Sequence, residues 1–284
     1  MQNRKIVFWE VDAQEDFMLP GGKLYVPGAE KIIPNIKRLV DMAREDRLLL
    51  ISSACRHLAD DPEFQIFPPH CVRGTPGERI IPQGLAQKVY SIPNDGTAKL
   101  PDSVFENQQI VLEKQTLDVF ANPHTEGIVN RLGKDTEYLI FGVVVEHCVH
   151  LAAKGLIDRG RKVSIVKDAI ETLTGTDGRR SLDELKSLGA AFVSTDEAIA
   201  MVAGKPARLR TEPPSPLQRK LNVARTTAVG LEAAPASLSG ADARRLRPRH
   251  RTLHKIAGYF PNCGSAYFPG MDISLPGESG RGHR

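Results

Sequence analysis

The sequence has 284 residues, 41% of them hydrophobic, and a formal net charge of +4 at pH 7, which allows one large domain or two small ones. It contains no apolar stretch of about 18 residues, the length that a membrane span needs, and its N-terminal segment lacks the apolar core of a signal peptide, so we expect a cytoplasmic protein. Its four cysteines are scattered without a CxxC pair, which disfavours a disulfide framework and a zinc ribbon.

Strand-forming and helix-forming patterns alternate along residues 1–204. Nearly continuous apolar runs, typical of strands covered on both faces, predict six strands at 5–12, 47–53, 109–114, 138–144, 162–167 and 190–194. Apolar residues at helical spacing predict five helices at 32–44, 123–132, 148–159, 179–188 and 196–203. Because such alternation produces parallel strands joined by crossover helices, we predict an α/β fold, a three-layer α/β/α domain with a six-stranded parallel sheet.

The alternating pattern weakens between residues 58 and 104. Residues 60–78, DDPEFQIFPPHCVRGTPGE, are rich in proline and lie beyond the carboxyl end of the second strand. Ligands bind at these ends in open α/β sheets, and long irregular loops in compact domains are usually functional. We therefore expect this segment to line a ligand site.

Residues with reactive side chains stand where the predicted strands end. Asp12 closes the first strand, Lys114 closes the third, and Cys148 follows the fourth at a helix start. Side chains of the metal-binding types follow the second strand, and they are Cys55, His57, Glu63 and His70. Each has a structural alternative, namely a turn acid for Asp12, a surface lysine for Lys114 and a small core residue for Cys148. Their convergence on one sheet edge favours a shared site.

The chemistry of these residue types is coherent. A thiol must lose its proton before it attacks carbon, and both a helix N-terminus and a nearby lysine ammonium favour the thiolate. A carboxylate accepts that proton and later returns it to a leaving amine. Backbone N–H groups after the fourth strand are available to stabilise an oxyanion. Asp12, Lys114 and Cys148 therefore provide the groups that acyl transfer needs.

Three stretches resemble the isochorismatase-like cysteine hydrolases, namely VDAQEDF around Asp12, LEKQTLDVF around Lys114 and FGVVVEHCVHLAA around Cys148. FPPHCVRGTPG and GGKLYVPGA resemble the nicotinamidases of that superfamily, and the resemblance covers about residues 4–200. It implies Asp12 as general base, Cys148 as nucleophile and Lys114 as supporting cation. It also implies a cis peptide before Val144, which aims the N–H groups of Val144 and Cys148 into an oxyanion hole.

The resemblance also implies a metal site. Nicotinamidases carry a metal ion beside the reacting groups, and His57, Glu63 and His70 match three of its ligand positions. Cys55 stands at the first position, where the family usually has aspartate. Thiolate, imidazole and carboxylate are all zinc ligands, and this set suits iron or manganese less well. We therefore expect a divalent metal, zinc, and no organic cofactor; the alternative is a degenerate site that binds no metal.

The substrate implied by the resemblance is a small amide, hydrolysed through a thioester, with nicotinamide to nicotinate and ammonia as the leading reaction. Phe17, Phe67 and Phe120 fall near positions that sandwich the substrate ring in the resembled enzymes, with core packing as the alternative. We also expect a homo-oligomer. Other small amides, ureido acids and vinyl ethers stay open, and the vinyl ethers would not need the cysteine. A non-catalytic binding scaffold is disfavoured by the intact set of reactive residues.

Residues 205–284 differ in charge from the rest of the chain. They hold 14 Lys and Arg against 5 Asp and Glu, whereas residues 1–204 hold 24 against 29. Periodicity stops after Gly204, and the composition favours disorder. The ARRLRPRHR run is of a kind that binds nucleic acid or anionic lipid, but a solvated segment is the commoner explanation, and an out-of-frame extension is a third. We therefore predict a hydrolase domain at 1–204 and a basic, disordered tail at 205–284, without a nucleic-acid or membrane partner.

Overall fold

Seven parallel strands form the central sheet of the computed structural model, which describes residues 5–203. The strands are β1 (Ile6–Val11), β2 (Leu49–Cys55), β3 (Val89–Ile92), β4 (Gln109–Lys114), β5 (Glu137–Gly142), β6 (Lys162–Ile170) and β7 (Ala191–Val193). Their order across the sheet is β3-β4-β2-β1-β5-β6-β7, and every neighbouring pair is parallel. The predicted α/β class and parallel sheet are confirmed.

The predicted number of six strands is wrong because it omits β3. This strand has four residues, lies at the sheet edge and pairs with β4 alone. Val89 and Ser91 are exposed, and only Ile92 is buried. An edge strand of this kind lacks the continuous apolar run by which central parallel strands are recognised, and it lies inside the segment whose pattern is weak.

Six α-helices lie within residues 5–203, and they are α1 (Glu15–Met18), α2 (Ile33–Arg44), α3 (Thr125–Leu132), α4 (His150–Asp158), α5 (Gly175–Ser187) and α6 (Thr195–Val202). The short α1 has no counterpart in the prediction. α3 begins at Thr125 rather than at Pro123 because Asn122 closes a turn first. Its side chain accepts from the His124 N–H (2.9 Å), and its carbonyl accepts from the Thr125 N–H (3.1 Å).

Side chains of β1 alternate between the two faces of the sheet, as successive strand residues do. Val7, Trp9 and Val11 belong to the apolar cluster that also contains residues of α3, α4 and α5. On the other side, α2 contacts α6, and both contact the sheet. Both faces are therefore covered, which explains why all six residues of β1 are buried.

Glu10 is a fully buried acid in β1. Its Oε2 accepts a hydrogen bond from the Ser52 hydroxyl (2.8 Å), whereas Oε1 has no hydrogen-bond partner within residues 5–203. Burial raises the pKa of Glu10 to about 8, against the opposing effects of Ser52 and Arg44. At neutral pH the native carboxyl is therefore largely protonated.

We expect Glu10→Gln to flatten the pH dependence of stability. The unfolded chain releases this proton near pH 4.5, whereas the native protein holds it up to about pH 8. The free energy of unfolding therefore falls as pH rises between these values, and a neutral amide has no such loss. Between pH 5 and pH 8 the free energy of unfolding of the variant should rise by about 3 kcal/mol relative to that of wild type, since one pKa unit corresponds to about 1.4 kcal/mol.

Urea unfolding at pH 5 and at pH 8 measures this difference. The exposed Glu126→Gln is the control, and parallel pH curves for wild type and Glu10→Gln would contradict the prediction.

The predicted boundary at residue 204 and the predicted tail at 205–284 lie outside the described residues. Within residues 5–203, no helix combines the length and apolarity needed to cross a bilayer.

Candidate active site

The carboxyl ends of four neighbouring strands bring the reactive side chains to one edge of the sheet. Asp12 directly follows β1, Cys55 ends β2, Lys114 ends β4, and Cys148 lies in the turn that follows β5. Asp12 has a positive φ of 50°, a conformation that aspartate adopts more readily than most residues. Parallel pairing places the strand ends side by side, and Cys55 is the register partner of Lys114.

The Lys114 ammonium contacts the other three reactive side chains. Its Nζ lies 2.9 Å from Asp12 Oδ2, 2.9 Å from Cys55 Sγ and 3.5 Å from Cys148 Sγ. The lysine is fully buried. Burial by itself would lower the Lys114 pKa, but the Asp12 carboxylate and the two sulfurs outweigh that effect and hold the pKa well above its usual value. The side chain is therefore an ammonium that neutralises Asp12 and faces both thiols.

Cys148 lies within the π-helical turn Val145–Val149, which leads into α4. Burial raises the pKa of the Cys148 thiol well above its usual value, and the Asp12 carboxylate raises it further, against the opposing effect of Lys114. The helix-start argument predicts the opposite direction, but here desolvation is the larger effect. The resting thiol is therefore protonated. Asp12 Oδ1, which is buried and has no hydrogen-bond partner within the described part of the chain, is available to accept its proton.

Backbone hydrogen bonds hold the segment before Cys148 in place. The peptide between Val143 and Val144 is cis. The Val143 N–H donates to the Val11 carbonyl (2.9 Å), and the Val144 carbonyl accepts from the N–H groups of His147 and Val149 (both 3.1 Å). Gly142 allows the close approach to β1, because a Cβ at this position would lie 2.0 Å from the Val11 carbonyl oxygen.

Three of the four predicted metal ligands lie together. Ligand atoms of Cys55, His57 and His70 are all within 4.8 Å of one another, and all three residues are buried. Glu63 is farther out, with its Oε1 4.0 Å from His70 Nε2. Burial raises the pKa of Glu63 to about 7. The metal role of Glu63 stays a prediction.

Both histidines present Nε2 as a potential ligand. His70 Nδ1 lies 2.8 Å from the Pro68 carbonyl, which only accepts, so this nitrogen carries the hydrogen and Nε2 has the lone pair. His57 Nδ1 lies 3.0 Å from Asp61 Oδ2, an ion-pair contact without the geometry of a hydrogen bond, and its Nε2 is buried without a hydrogen-bond partner among residues 5–203. Burial lowers both histidine pKa values, that of His70 to about 4. Neutral imidazoles held by carbonyl or carboxylate groups fit a metal centre.

Asp61 and Gln14 support the site but were not among the predicted residues. Asp61 orients His57 and also caps the turn after it, by accepting from the Glu63 N–H (2.9 Å). Gln14 makes two 2.7 Å hydrogen bonds with the backbone N–H and carbonyl of Cys55. The spacing of four residues between His57 and Asp61 is the one sequence signal available for them. The Gln14 contact depends on strand neighbours 41 positions apart.

The structure brings two of the three predicted ring-binding residues together. Phe17 and Phe67 both lie against His70, with ring centroids 5.3 and 6.4 Å apart, and Phe67 also lies 5.9 Å from His147. Phe120 instead stacks on Trp9 at 6.4 Å, with Arg159 over its ring. These contacts match the core-packing alternative for Phe120, and its contact with substrate stays a prediction.

The family model of the Isochorismatase domain matches residues 7–197 of this sequence. The chain belongs to the isochorismatase family. It is 26% identical over 184 residues to a nicotinamidase of Saccharomyces cerevisiae, which covers 56% of this chain and 84% of that protein. It is 22% identical over 182 residues to a "probable inactive nicotinamidase" of Arabidopsis thaliana, which covers 63% and 87%.

Among solved structures, a pyrazinamidase of Pyrococcus horikoshii in complex with zinc has a TM-score of 0.54 at 25% identity, covering 67% of this chain and 99% of that one. The family and its nicotinamidase relatives make this chain an amidohydrolase, which acts on amide C–N bonds. The similarity to nicotinamidases that the sequence motifs suggested is confirmed by these relatives and structures.

Proposed function

We propose that this protein hydrolyses a small aromatic amide, with nicotinamide as the leading substrate, through a thioester on Cys148. The observation that carries the proposal is the buried contact of one ammonium, Lys114 Nζ, with both Asp12 Oδ2 and Cys148 Sγ. The flat surfaces of Phe17 and Phe67 beside His70 favour a planar ring over an extended aliphatic amide. The expected homo-oligomer and cytoplasmic location stay predictions.

Acylation begins with proton transfer from the Cys148 thiol to Asp12. The sulfur then attacks the carbonyl carbon, and the N–H groups of Val144 and Cys148 stabilise the oxyanion. Asp12 returns the proton to the leaving nitrogen, so the C–N bond breaks and ammonia departs. Lys114 contributes by stabilising the thiolate while it forms.

Deacylation uses the same carboxylate as a base. Asp12 takes a proton from water, the hydroxide oxygen attacks the thioester carbon, and the C–S bond breaks. The proton returns to Cys148, and the carboxylic acid leaves. The net change is one amide and one water converted to one acid and one ammonia.

Cys55, His57 and His70 would hold the metal ion, with Glu63 as the predicted further ligand. When bound, the ion would coordinate the ring nitrogen of the substrate and orient its amide towards Cys148. Holding the amide in position in this way lowers the activation barrier. The thiol, imidazole and carboxyl donors match zinc chemistry. The zinc complex of the Pyrococcus horikoshii protein supports this choice.

The proposal is tested by incubating the purified chain with nicotinamide, pyrazinamide, benzamide and an N-carbamoyl amino acid, and assaying released ammonia. We expect turnover with nicotinamide and pyrazinamide, and slower turnover with benzamide, which lacks the ring nitrogen. Preference for the N-carbamoyl compound would contradict nicotinamide as substrate. Ammonia release from none of the four would overturn the proposal.

We expect His57→Ala to remove most of the bound zinc and to raise KM for nicotinamide more than it lowers kcat, because the ion serves ground-state binding. Elemental analysis of protein purified without chelator measures the metal. The matched control is His124→Ala, which removes a histidine ring that contacts the Asp95 carbonyl.

The role of Cys55 can be tested with cobalt in place of zinc. A sulfur-to-cobalt absorption band should appear in wild type and vanish in Cys55→Ser. Negligible metal with full activity in EDTA would show that the site is vestigial.

A further inference from the structure

The turn that carries Cys148 is attached to the loop between β6 and α5. The Val145 N–H donates to the Glu171 carbonyl (3.0 Å), and the Glu171 N–H donates to the Gly142 carbonyl (3.3 Å). These bonds extend the pairing of β5 with β6 beyond the last paired residues, Gly142 and Ile170. They anchor the start of the turn to Glu171, the first residue of this loop.

Glu146 makes a second attachment to the same loop. Its side chain is only 8% exposed. Oε2 accepts from the Thr172 hydroxyl (2.6 Å), and Oε1 accepts from the Thr174 N–H (2.8 Å). Both carboxylate oxygens are therefore committed to the loop, two residues before Cys148.

The loop that Glu146 binds has little freedom to move. Thr172 packs against Gly178 of α5, where a Cβ would lie 2.4 Å from the Thr172 hydroxyl oxygen. The Thr174 side chain caps α5 by accepting from the Asp177 N–H (3.3 Å). Glu146 thus ties the turn to the beginning of a thirteen-residue helix.

We propose that Glu146 is a positioning residue, which holds the Val145–Val149 turn against residues 171–174 so that the Cys148 thiol stays within reach of Lys114 and Asp12. The inference rests on the proposed function, but Glu146 takes no part in bond making. Cys148 Sγ lies 3.5 Å from Lys114 Nζ, and a displacement of about 1 Å at a reacting group costs on the order of 100-fold in rate. A loosened turn should therefore lower kcat.

Glutamine at position 146 preserves these hydrogen bonds. The amide oxygen can accept from the Thr174 N–H, and the amide nitrogen can donate to the Thr172 hydroxyl. That hydroxyl then turns its hydrogen to the Thr174 carbonyl, which is already 2.9 Å away. Alanine at position 146 removes both hydrogen bonds. Thr172→Val removes the bond from the Thr172 hydroxyl and keeps the bond from the Thr174 N–H.

The test measures kcat and KM for nicotinamide and the rate at which iodoacetamide alkylates Cys148. We expect Glu146→Ala to lower kcat by about 10- to 100-fold with KM changed less than about twofold, and to change the alkylation rate at least threefold. Glu146→Gln should stay within about threefold of wild type in both, and Thr172→Val should be intermediate. Glu126→Ala, which removes an exposed glutamate paired with Arg159, is the matched control.

The readouts separate this inference from the proposed function, because alkylation needs no substrate. If the wild type releases no ammonia from any amide, the proposed function fails, and the alkylation rates still decide the role of Glu146. Wild-type kcat and alkylation in Glu146→Ala would overturn the inference, as would a loss in Glu146→Gln equal to that in alanine. If Glu146→Ala does not fold, Thr172→Val carries the test, and unchanged kcat and alkylation in that variant overturn the inference.

Discussion

Cys148→Ala should abolish amide hydrolysis, with a loss in kcat of roughly 10⁴-fold or more, the order expected when the nucleophile of an acyl-transfer site is removed. The fold should persist, because the turn is held by backbone hydrogen bonds around Val144 and the removed atom is a single sulfur. Ammonia release measures the first effect, and circular dichroism with thermal unfolding measures the second.

Cys71→Ala is the matched control for this prediction. Cys71 is also a buried cysteine, but its sulfur lies 3.7 Å from the Gly77 carbonyl and it has no hydrogen bond to Lys114 within the described residues. We expect this variant to keep its activity. Iodoacetamide should label Cys148 faster than Cys71 near neutral pH, since Cys71 is completely buried. Wild-type turnover in Cys148→Ala would rule out the thioester mechanism.

Lys114→Met should cause the second large loss, in activity and in stability together. Methionine keeps most of the volume but removes the ammonium, which leaves the Asp12 carboxylate buried without its ion-pair partner. Breaking a buried pair in this way costs about 3–5 kcal/mol. We also expect kcat to fall by about 10³-fold, because the ammonium that stabilises the forming thiolate is removed. Urea unfolding and the ammonia assay measure the two effects.

The double variant Asp12→Asn/Lys114→Met distinguishes the charge effect from general damage to the core. Removing both charges eliminates the unpaired carboxylate, so the double variant should be more stable than Lys114→Met alone. Lys162→Met, at an exposed position in β6, should leave both activity and stability close to wild type. Additive losses from Asp12 and Lys114 would show that the pair is not coupled as the 2.9 Å contact indicates.

The order of the central strands along the chain could be predicted from the sequence because buried parallel strands have a local signature, a continuous apolar run. The gathering of Asp12, Lys114 and Cys148 at one edge follows from that pattern, since parallel strands place their carboxyl ends together. β3 could not be predicted in this way, because an edge strand with two exposed residues lacks the signature. Nor could the start of α3, where Asn122 closes a turn.

The state of the site is decided by tertiary structure. The direction of the Cys148 pKa depends on burial by residues that are distant in the chain, and that burial outweighs the local helix start. Cys55 and Lys114 are 59 positions apart, and only strand pairing sets their 2.9 Å contact. The same holds for Glu146 and Thr172, which are 26 positions apart. The sequence alone thus determined which residue types stand at the strand ends, because strand patterning is local. Only the fold decided their distances, protonation and supporting contacts, because these depend on burial and on neighbours remote in the chain.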